Sequence, residues 1–290
     1  DDAERYLTPT TSLPARSNAL AGRTVANLFF EPSTRTRASF DLAGKRLGAD
    51  VLNLDVNTSS RKKGESILDT IYTLEAMRCD IMVVRDASAG VPAYIARHVK
   101  NHVSILNAGE SDVSHPTQGL LDLLTIRRHK GGFEKLVVSI VGDIRHSRVA
   151  RSTGWGLNTL GVGELRLVSP PAMAPDPDDM PFATICDNLD DGLADADVVM
   201  ALRIQRERIS DLDGIPGTDE YFSSYGVSRE RMKIARPDAI VMHPGPMNRG
   251  IEIEGSLADS RQSVITEQVT NGVAVRMAVL ERVAGTLERQ

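Results

Sequence analysis

Thr24-Val25-Ala26-Asn27-Leu28-Phe29-Phe30 is a short apolar run, and Glu31-Pro32-Ser33-Thr34-Arg35-Thr36-Arg37-Ala38-Ser39-Phe40 follows it directly. The first stretch reads as a buried strand, and the second as the opening of a helix over Ser33–Leu47. A strand that runs straight into a helix is the start of a parallel β-α-β unit. The alternation continues with a strand at Val51–Leu54, an amphipathic helix at Glu65–Arg78 and a strand at Asp80–Arg85. A helix at Val91–Val99, a strand at Val103–Leu106 and a helix at Thr117–His129 follow. The helical pattern stops near Lys130-Gly131-Gly132, and a second series begins. It has a strand at Leu136–Val141, a helix at Ser147–Leu160, and strands at Leu165–Val168, Asp197–Ala201 and Ala239–Met242. The Pro-rich stretch Ser169–Pro181 reads as a loop. Thr266–Leu287 reads as a last amphipathic helix, with Val269, Val273, Met277, Leu280 and Ala284 at helical spacing. The pattern predicts an α/β fold of two doubly wound domains, each with a mostly parallel sheet flanked by helices. The expected domains are residues 1–130 and 131–265, with the closing helix 266–290 packing back on the first.

At 290 residues, with 41% hydrophobic and 25% charged side chains, the chain can build two cores and is not a disordered chain. Its 34 Lys and Arg against 39 Asp and Glu leave a net charge of −5. No overall field draws it to nucleic acid or an anionic membrane. Arg far outnumbers Lys, which fits bidentate anion recognition and fits a codon bias equally well. Cys79 and Cys186 are far apart and in no C-x-x-C pattern, so both read as reduced, structural thiols of a cytoplasmic protein. The histidines show no H-E-x-x-H or comparable spacing, and neither a metal nor a cofactor is expected. No apolar run is long enough for a membrane span, and no signal peptide is visible. The chain begins at Asp1 inside a helical pattern and without an initiator Met, as a trimmed start would.

The stretch quoted first also carries chemistry. A helix N-terminus offers unpaired N–H groups and a partial positive charge. Ser33, Thr34 and Thr36 add hydroxyls there, and Arg35 adds a fork matched to phosphate oxygens. Capping by Ser33 would explain one hydroxyl, but not three together with two arginines. Arg85 ends a buried strand, where open α/β sheets bind ligands. His115-Pro116-Thr117-Gln118 opens a helix, so His115 and Gln118 project from one turn. Val141-Gly142-Asp143-Ile144-Arg145-His146-Ser147-Arg148 is a second strand-to-helix junction. It lacks G-x-G-x-x-G, which disfavours a dinucleotide site. Arg148, at the helix start, is poised for a carboxylate, while Arg145 and Arg151 suit solvent or a domain interface. In Met200–Arg208, extended alternation puts Arg203 and Gln205 on one side. In Met242–Ile253, Pro244 and Pro246 bracket Gly245 and set a turn whose carbonyls can face a ligand amine. Asn57–Ser66 is a polar, basic loop that by itself reads as solvated.

S-T-R-T-R after a strand, H-P-T-Q, R-x-Q-x-E-R and H-P-G-P occur in this order, and together they resemble the aspartate and ornithine carbamoyltransferase family. The likeness runs from about Thr24 to Gln290, and the region before Leu20 is shorter than the family's first helix and connection. The resemblance implies that Ser33, Thr34, Arg35, Thr36 and Arg85 hold carbamoyl phosphate. It implies that His115 donates to the carbamoyl oxygen and Gln118 holds the carbamoyl nitrogen. Arg35, Thr36 and His115 would stabilise the oxyanion, and main-chain oxygens at Pro244 and Gly245 would face the nitrogens. Arg148, Arg203 and Gln205 would bind the second substrate. Ser59 and Lys63, in S-x-x-x-K-G-E, would reach into the site of the next subunit of a homotrimer. Ornithine enzymes carry H-P-C-Q and H-C-L-P at the corresponding places and a late D-x-x-x-S-M-G loop. Their absence implies L-aspartate as the amine, and hence the committed step of pyrimidine synthesis. A regulatory or dihydroorotase partner stays open, as does an ornithine-type or other amine substrate. A non-catalytic scaffold of this fold would have lost a site residue, and none is missing. A nicotinamide dehydrogenase would share only the fold.

Overall fold

The computed structural model describes residues 1–7, 14–55, 66–205 and 214–287. Ser59 and Lys63 lie outside the described residues, as do Arg206 and Arg208. Two compact units are present: Asp1–Thr117 with Val269–Gln290, and Gln118–Gln268.

The first unit contains β1 (Thr24–Phe29), β2 (Asp50–Asp55), β3 (Ile81–Asp86) and β4 (Ser104–Glu110). They form one sheet in the order β2-β1-β3-β4, with every pair parallel. Parallel strands need helical crossovers that cover the sheet, which is why their sequences are continuous apolar runs. The helices are α1 (Thr34–Arg46), α2 (Ile67–Ala76) and α3 (Val91–Ala96). Ser66 starts α2 through a capping box with Asp69, so this helix is shorter than Glu65–Arg78. Ile71 and Leu74 of α2 and Ile95 of α3 pack on Ala26, Leu28, Met82 and Val84. Each large apolar side chain buried this way contributes roughly 1.5–3 kcal/mol. α1 comes close to the sheet at Gly44, where a Cβ would stand 2.8 Å from Val51. The start of the chain is a 3-10 turn at Asp2–Tyr6.

The second unit contains β5 (Val137–Val141), β6 (Glu164–Val168), β7 (Thr184–Cys186), β8 (Val198–Ala201) and β9 (Ile240–Met242). Their order is β7-β6-β5-β8-β9, again all parallel. The helices are α4 (Pro116–Lys130), whose first two residues fall in the first unit, α5 (Arg148–Thr159), α6 (Leu189–Leu193), α7 (Thr218–Tyr225) and α8 (Gly255–Ala258). One face of the sheet packs Ile140, Leu167 and Met200 against Ile126 of α4 and Leu157 of α5. The other packs Val141, Val168 and Val199 with Leu189 and Leu193 of α6 and Leu257 of α8. The chain is therefore α/β, with two parallel sheets flanked by helices, as its pattern predicts.

Several elements differ from the sequence reading. β7 is only three residues long and mostly exposed, so no apolar run announces it, and pairing with β6 creates it. α6, α7 and α8 have five, eight and four residues, too short to display a helical period. Ser169–Pro181 contains 3-10 turns at Pro171–Met173 and Pro177–Asp179. The last helix, α9, spans Ile265–Ala284, and Val273, Met277 and Leu280 are buried, but Val269 is 56% exposed. The division at Thr117 and Gln118 counts α4, read from sequence as the end of the first half, almost wholly with the second unit. Within the first unit, Arg276 of α9 holds its guanidinium 5.2 Å from the centre of the Phe40 ring.

Among the described residues, no helix is long and apolar enough to cross a membrane, and no group of three His, Cys, Asp or Glu could hold a metal ion. Cys79 is buried, Cys186 is half-buried, and both are free thiols.

Candidate active site

In the first sheet β1 lies between β2 and β3, so the chain passes from β1 to β2 on one side and then crosses to β3 on the other, and open sheets of this kind bind ligands beyond the carboxyl ends of the strands at such a switch point. The Phe30 N–H donates to the Arg85 carbonyl at 2.8 Å, which locks the two strand ends together. Ser33 takes the extended N-cap position of α1, yet its hydroxyl makes no capping hydrogen bond. No acidic residue occupies the first turn, so the positive end of the helix is not neutralised from within. Thr34 and Arg35 are exposed there, and Thr36 is buried. Thr36 Oγ1 lies 3.4 Å from His115 Nε2 and 3.4 Å from Arg85 Nη1. Arg85 Nη1 also reaches the Ala108 carbonyl at 3.4 Å. These are long contacts, of the kind that tighten when a ligand arrives. His115 is held at the end of a turn in which Asn107 Nδ2 donates to Glu110 Oε1 and to Ser114 Oγ, each at 2.9 Å. Glu31 is a residue that the motif reading passes over, and its Oε1 sits 2.6 Å from Arg85 Nε. The signal was its place between Phe30 and Pro32, beside a predicted arginine cluster.

In the second sheet the same switch falls between β5 and β8. Gly142 ends β5 at φ +137°, where a Cβ would stand 2.5 Å from the Leu202 carbonyl oxygen. The glycine is there for strand-to-strand approach, not to cradle a dinucleotide. Asp143, fully buried, ties the two strand ends together. Its Oδ1 accepts from the His146 ring at 2.9 Å, and its Oδ2 accepts from the Gln205 N–H at 3.0 Å. Gln205 is thereby placed, and Arg203 Nη2 lies 3.3 Å from its Oε1. Ser147 caps α5 by accepting from the Ala150 N–H at 3.1 Å, and Arg148, the first residue of the helix, is buried. Arg151 pairs with Asp179 at 2.8 Å, and Arg145 is exposed. In the turn after β9 the Gly245 N–H donates to His243 Nδ1 at 2.8 Å, and Gly245 has φ +71°. His243 Nε2 therefore carries the proton that it shares with buried Glu252, 3.0 Å away. Gln118, on the first turn of α4, donates from Nε2 to Asp122 Oδ1 at 3.0 Å. Asp143, Asp122 and Glu252 are anchors that no short motif marks.

Of the predicted residues, Ser33, Thr34, Arg35, Thr36, Arg85 and His115 belong to the first unit, and Gln118, Arg148, Arg203, Gln205, Pro244 and Gly245 to the second. Residues 2–128 match the family model described as the carbamoyl-P binding domain of aspartate/ornithine carbamoyltransferase, and residues 134–283 match its Asp/Orn binding domain. The chain belongs to the aspartate/ornithine carbamoyltransferase family.

Solved structures of this family resemble it over almost the whole chain. An aspartate transcarbamoylase from Trypanosoma cruzi, in complex with carbamoyl aspartate and phosphate, superposes with a TM-score of 0.82 at 30% identity. The match covers 96% of this chain and 87% of that one. The same enzyme with N-(phosphonacetyl)-L-aspartic acid gives 0.81 at 30% identity, covering 92% of this chain and 85% of that one. An ornithine carbamoyltransferase from Thermus thermophilus gives 0.81 at 26% identity, covering 94% and 89%. Aspartate- and ornithine-type carbamoyltransferases therefore share this fold almost equally, and fold alone does not name the amine. In this chain, hydroxyl, imidazole and guanidinium donors meet at the switch point of the first sheet. Such a set suits an anion next to a polarised carbonyl.

Proposed function

We propose that this protein transfers the carbamoyl group of carbamoyl phosphate to the amine of L-aspartate, giving N-carbamoyl-L-aspartate and phosphate. The observation that carries this reading is the meeting of Thr36, Arg85 and His115 beside the uncapped start of α1. In the proposed site Ser33, Thr34, Arg35, Thr36 and Arg85 hold the phosphate. Arg35, Thr36 and His115 donate to the carbonyl oxygen as it gains charge. A donor of this kind is worth about 3 kcal/mol of barrier. Gln118 and the carbonyls of Pro244 and Gly245 take the N–H groups of the substrates. Arg148, Arg203 and Gln205 bind the two carboxylates of aspartate, with Lys63. Ser59 and Lys63 come from a neighbouring subunit, so the working unit is a homotrimer.

The amine nitrogen forms a bond to the carbamoyl carbon, and the C–O bond to phosphate breaks with its electron pair leaving on phosphate. The departing phosphate accepts the proton from the amine, so no side chain serves as nucleophile or base. Much of the acceleration comes from holding two anions in contact distance. The product places the reaction at the start of pyrimidine synthesis. H-P-T-Q and H-P-G-P in place of H-P-C-Q and H-C-L-P favour aspartate. The likeness to the Thermus thermophilus enzyme supports ornithine as the second reading. Assay of carbamoyl phosphate with a panel of amines decides between them. Aspartate should be carbamoylated at least 100-fold faster than ornithine, and the reverse order would overturn the aspartate reading.

A further inference from the structure

Asp122 lies one helical turn after Gln118 on α4, and its side chain is fully buried. Its Oδ1 accepts from Gln118 Nε2 at 3.0 Å and from Gln268 Nε2 at 2.9 Å. Its Oδ2 accepts from Thr153 Oγ1 at 2.9 Å. A carboxylate oxygen accepts and does not donate, so the amide atom that faces it is the nitrogen. Both glutamine amides are therefore oriented by one oxygen. Gln268 turns its own Oε1 to the His243 N–H, at 2.9 Å, and His243 opens the H-P-G-P turn. Gln118 is left with its carbonyl oxygen as the end that can meet a ligand. One buried group thus sets the polarity of the glutamine in H-P-T-Q and anchors the start of H-P-G-P.

We propose that Asp122 is a positioning residue that holds Gln118 as a hydrogen-bond acceptor, and that it thereby selects an acyl phosphate carrying an N–H donor on its carbonyl carbon. The proposal rests on Gln118 facing the carbamoyl nitrogen. A carbamoyl group differs from an acetyl group by NH2 in place of CH3. An amide able to turn over would present its own NH2 to that nitrogen, donor against donor. With the amide fixed, the carbamoyl group gains a bond that the acetyl group cannot make. Sites built to hydrogen-bond a substrate N–H reject the analogue that lacks it far better than apolar sites reject a missing methylene.

The test compares wild type, Asp122→Asn, Gln118→Leu and the double variant. For each, KM for carbamoyl phosphate and the inhibition constants of acetyl phosphate and inorganic phosphate are measured. Wild type must turn over carbamoyl phosphate with aspartate or ornithine. Failure at that step removes the proposed function itself and is seen before any variant is compared. In Asp122→Asn the preference for carbamoyl over acetyl phosphate should fall at least tenfold, while inorganic phosphate binds within twofold of wild type. The double variant should discriminate no worse than Gln118→Leu alone. An unchanged preference in Asp122→Asn, or an equal loss for all three anions, would overturn the proposal. Should Asp122→Asn not fold, neutron diffraction of wild-type crystals with phosphonoacetamide replaces it. The Gln118 amide deuterons should point at Asp122, and deuterons pointing at the ligand nitrogen would be the contrary result.

Discussion

Glu31 Oε1 stands 2.6 Å from Arg85 Nε, so an arginine of the proposed phosphate site is already paired with a carboxylate two residues upstream of Ser33. Both side chains are largely buried, so solvent screens the pair weakly. A phosphate entering beside Arg85 meets this carboxylate as a like charge. A unit charge at about 6 Å through an effective dielectric near 40 is worth ~1.4 kcal/mol. Glu31→Gln is expected to tighten inorganic phosphate by roughly 3- to 10-fold. Calorimetric titration measures this, and weaker binding would show that the carboxylate serves mainly to aim Arg85.

Arg35 is exposed at the first turn of α1, where its loss leaves no cavity. Arg35→Ala should lower kcat by about 10²–10³-fold. Its melting temperature should stay within about 2 °C of wild type, as for a surface substitution. Near-normal turnover would remove Arg35 from the site. Mixing Ser33→Ala chains with Lys63→Ala chains should restore activity in hybrids, since some sites would then draw both intact residues from different subunits. Inactive hybrids of confirmed composition would count against a shared site.

Gly142 predicts a purely conformational effect. Its φ of +137° is strained for any L side chain, and an added Cβ would stand 2.5 Å from the Leu202 carbonyl oxygen. The β5 and β8 ends would have to part, and with them the Asp143 bond to Gln205. Gly142→Ala should cost about 3 kcal/mol or more of stability. Urea unfolding reads this directly, and a loss below about 1 kcal/mol would show that the strand ends yield easily.

Acid dependence follows from Glu267 at the start of α9. Burial alone would raise its carboxyl, but hydrogen bonds and charge from His129 and Arg128 of α4 outweigh burial and hold it below the ordinary 4.5. A carboxyl depressed in the folded state adds stability above its unfolded value and loses it as pH falls through the folded one. Wild type should therefore be more stable than Glu267→Gln at pH 7, with the difference shrinking from below about pH 5. Urea midpoints taken from about pH 5 to about pH 3, below the range in which the partner histidine gains its charge, check the sign, and a gap that widens over that range would refute it.

Much of the molecule was readable from residue order alone. Continuous apolar runs such as Ile81-Met82-Val83-Val84 announce parallel strands, because a strand covered on both faces has no polar side to display. The clustered hydroxyls and arginines of Ser33–Arg37 are equally legible, since consecutive residues at a helix start share one small volume. Arg203 and Gln205 share a side because an extended chain repeats every two residues. These readings depend only on local geometry, which the chain carries with it.

The remainder depends on pairs far apart in sequence. β7 exists because β6 offers it an edge, and its own three residues carry no signal. Val269 shares the period of Val273 and Met277 yet is exposed, because what covers a helix face is set by its neighbours. Asp143, Asp122 and Glu31 look like ordinary acidic residues until folding brings Gln205, Gln268 and Arg85 to them. A buried carboxylate takes its meaning from the donors around it, and those donors are assembled only when the sheets form.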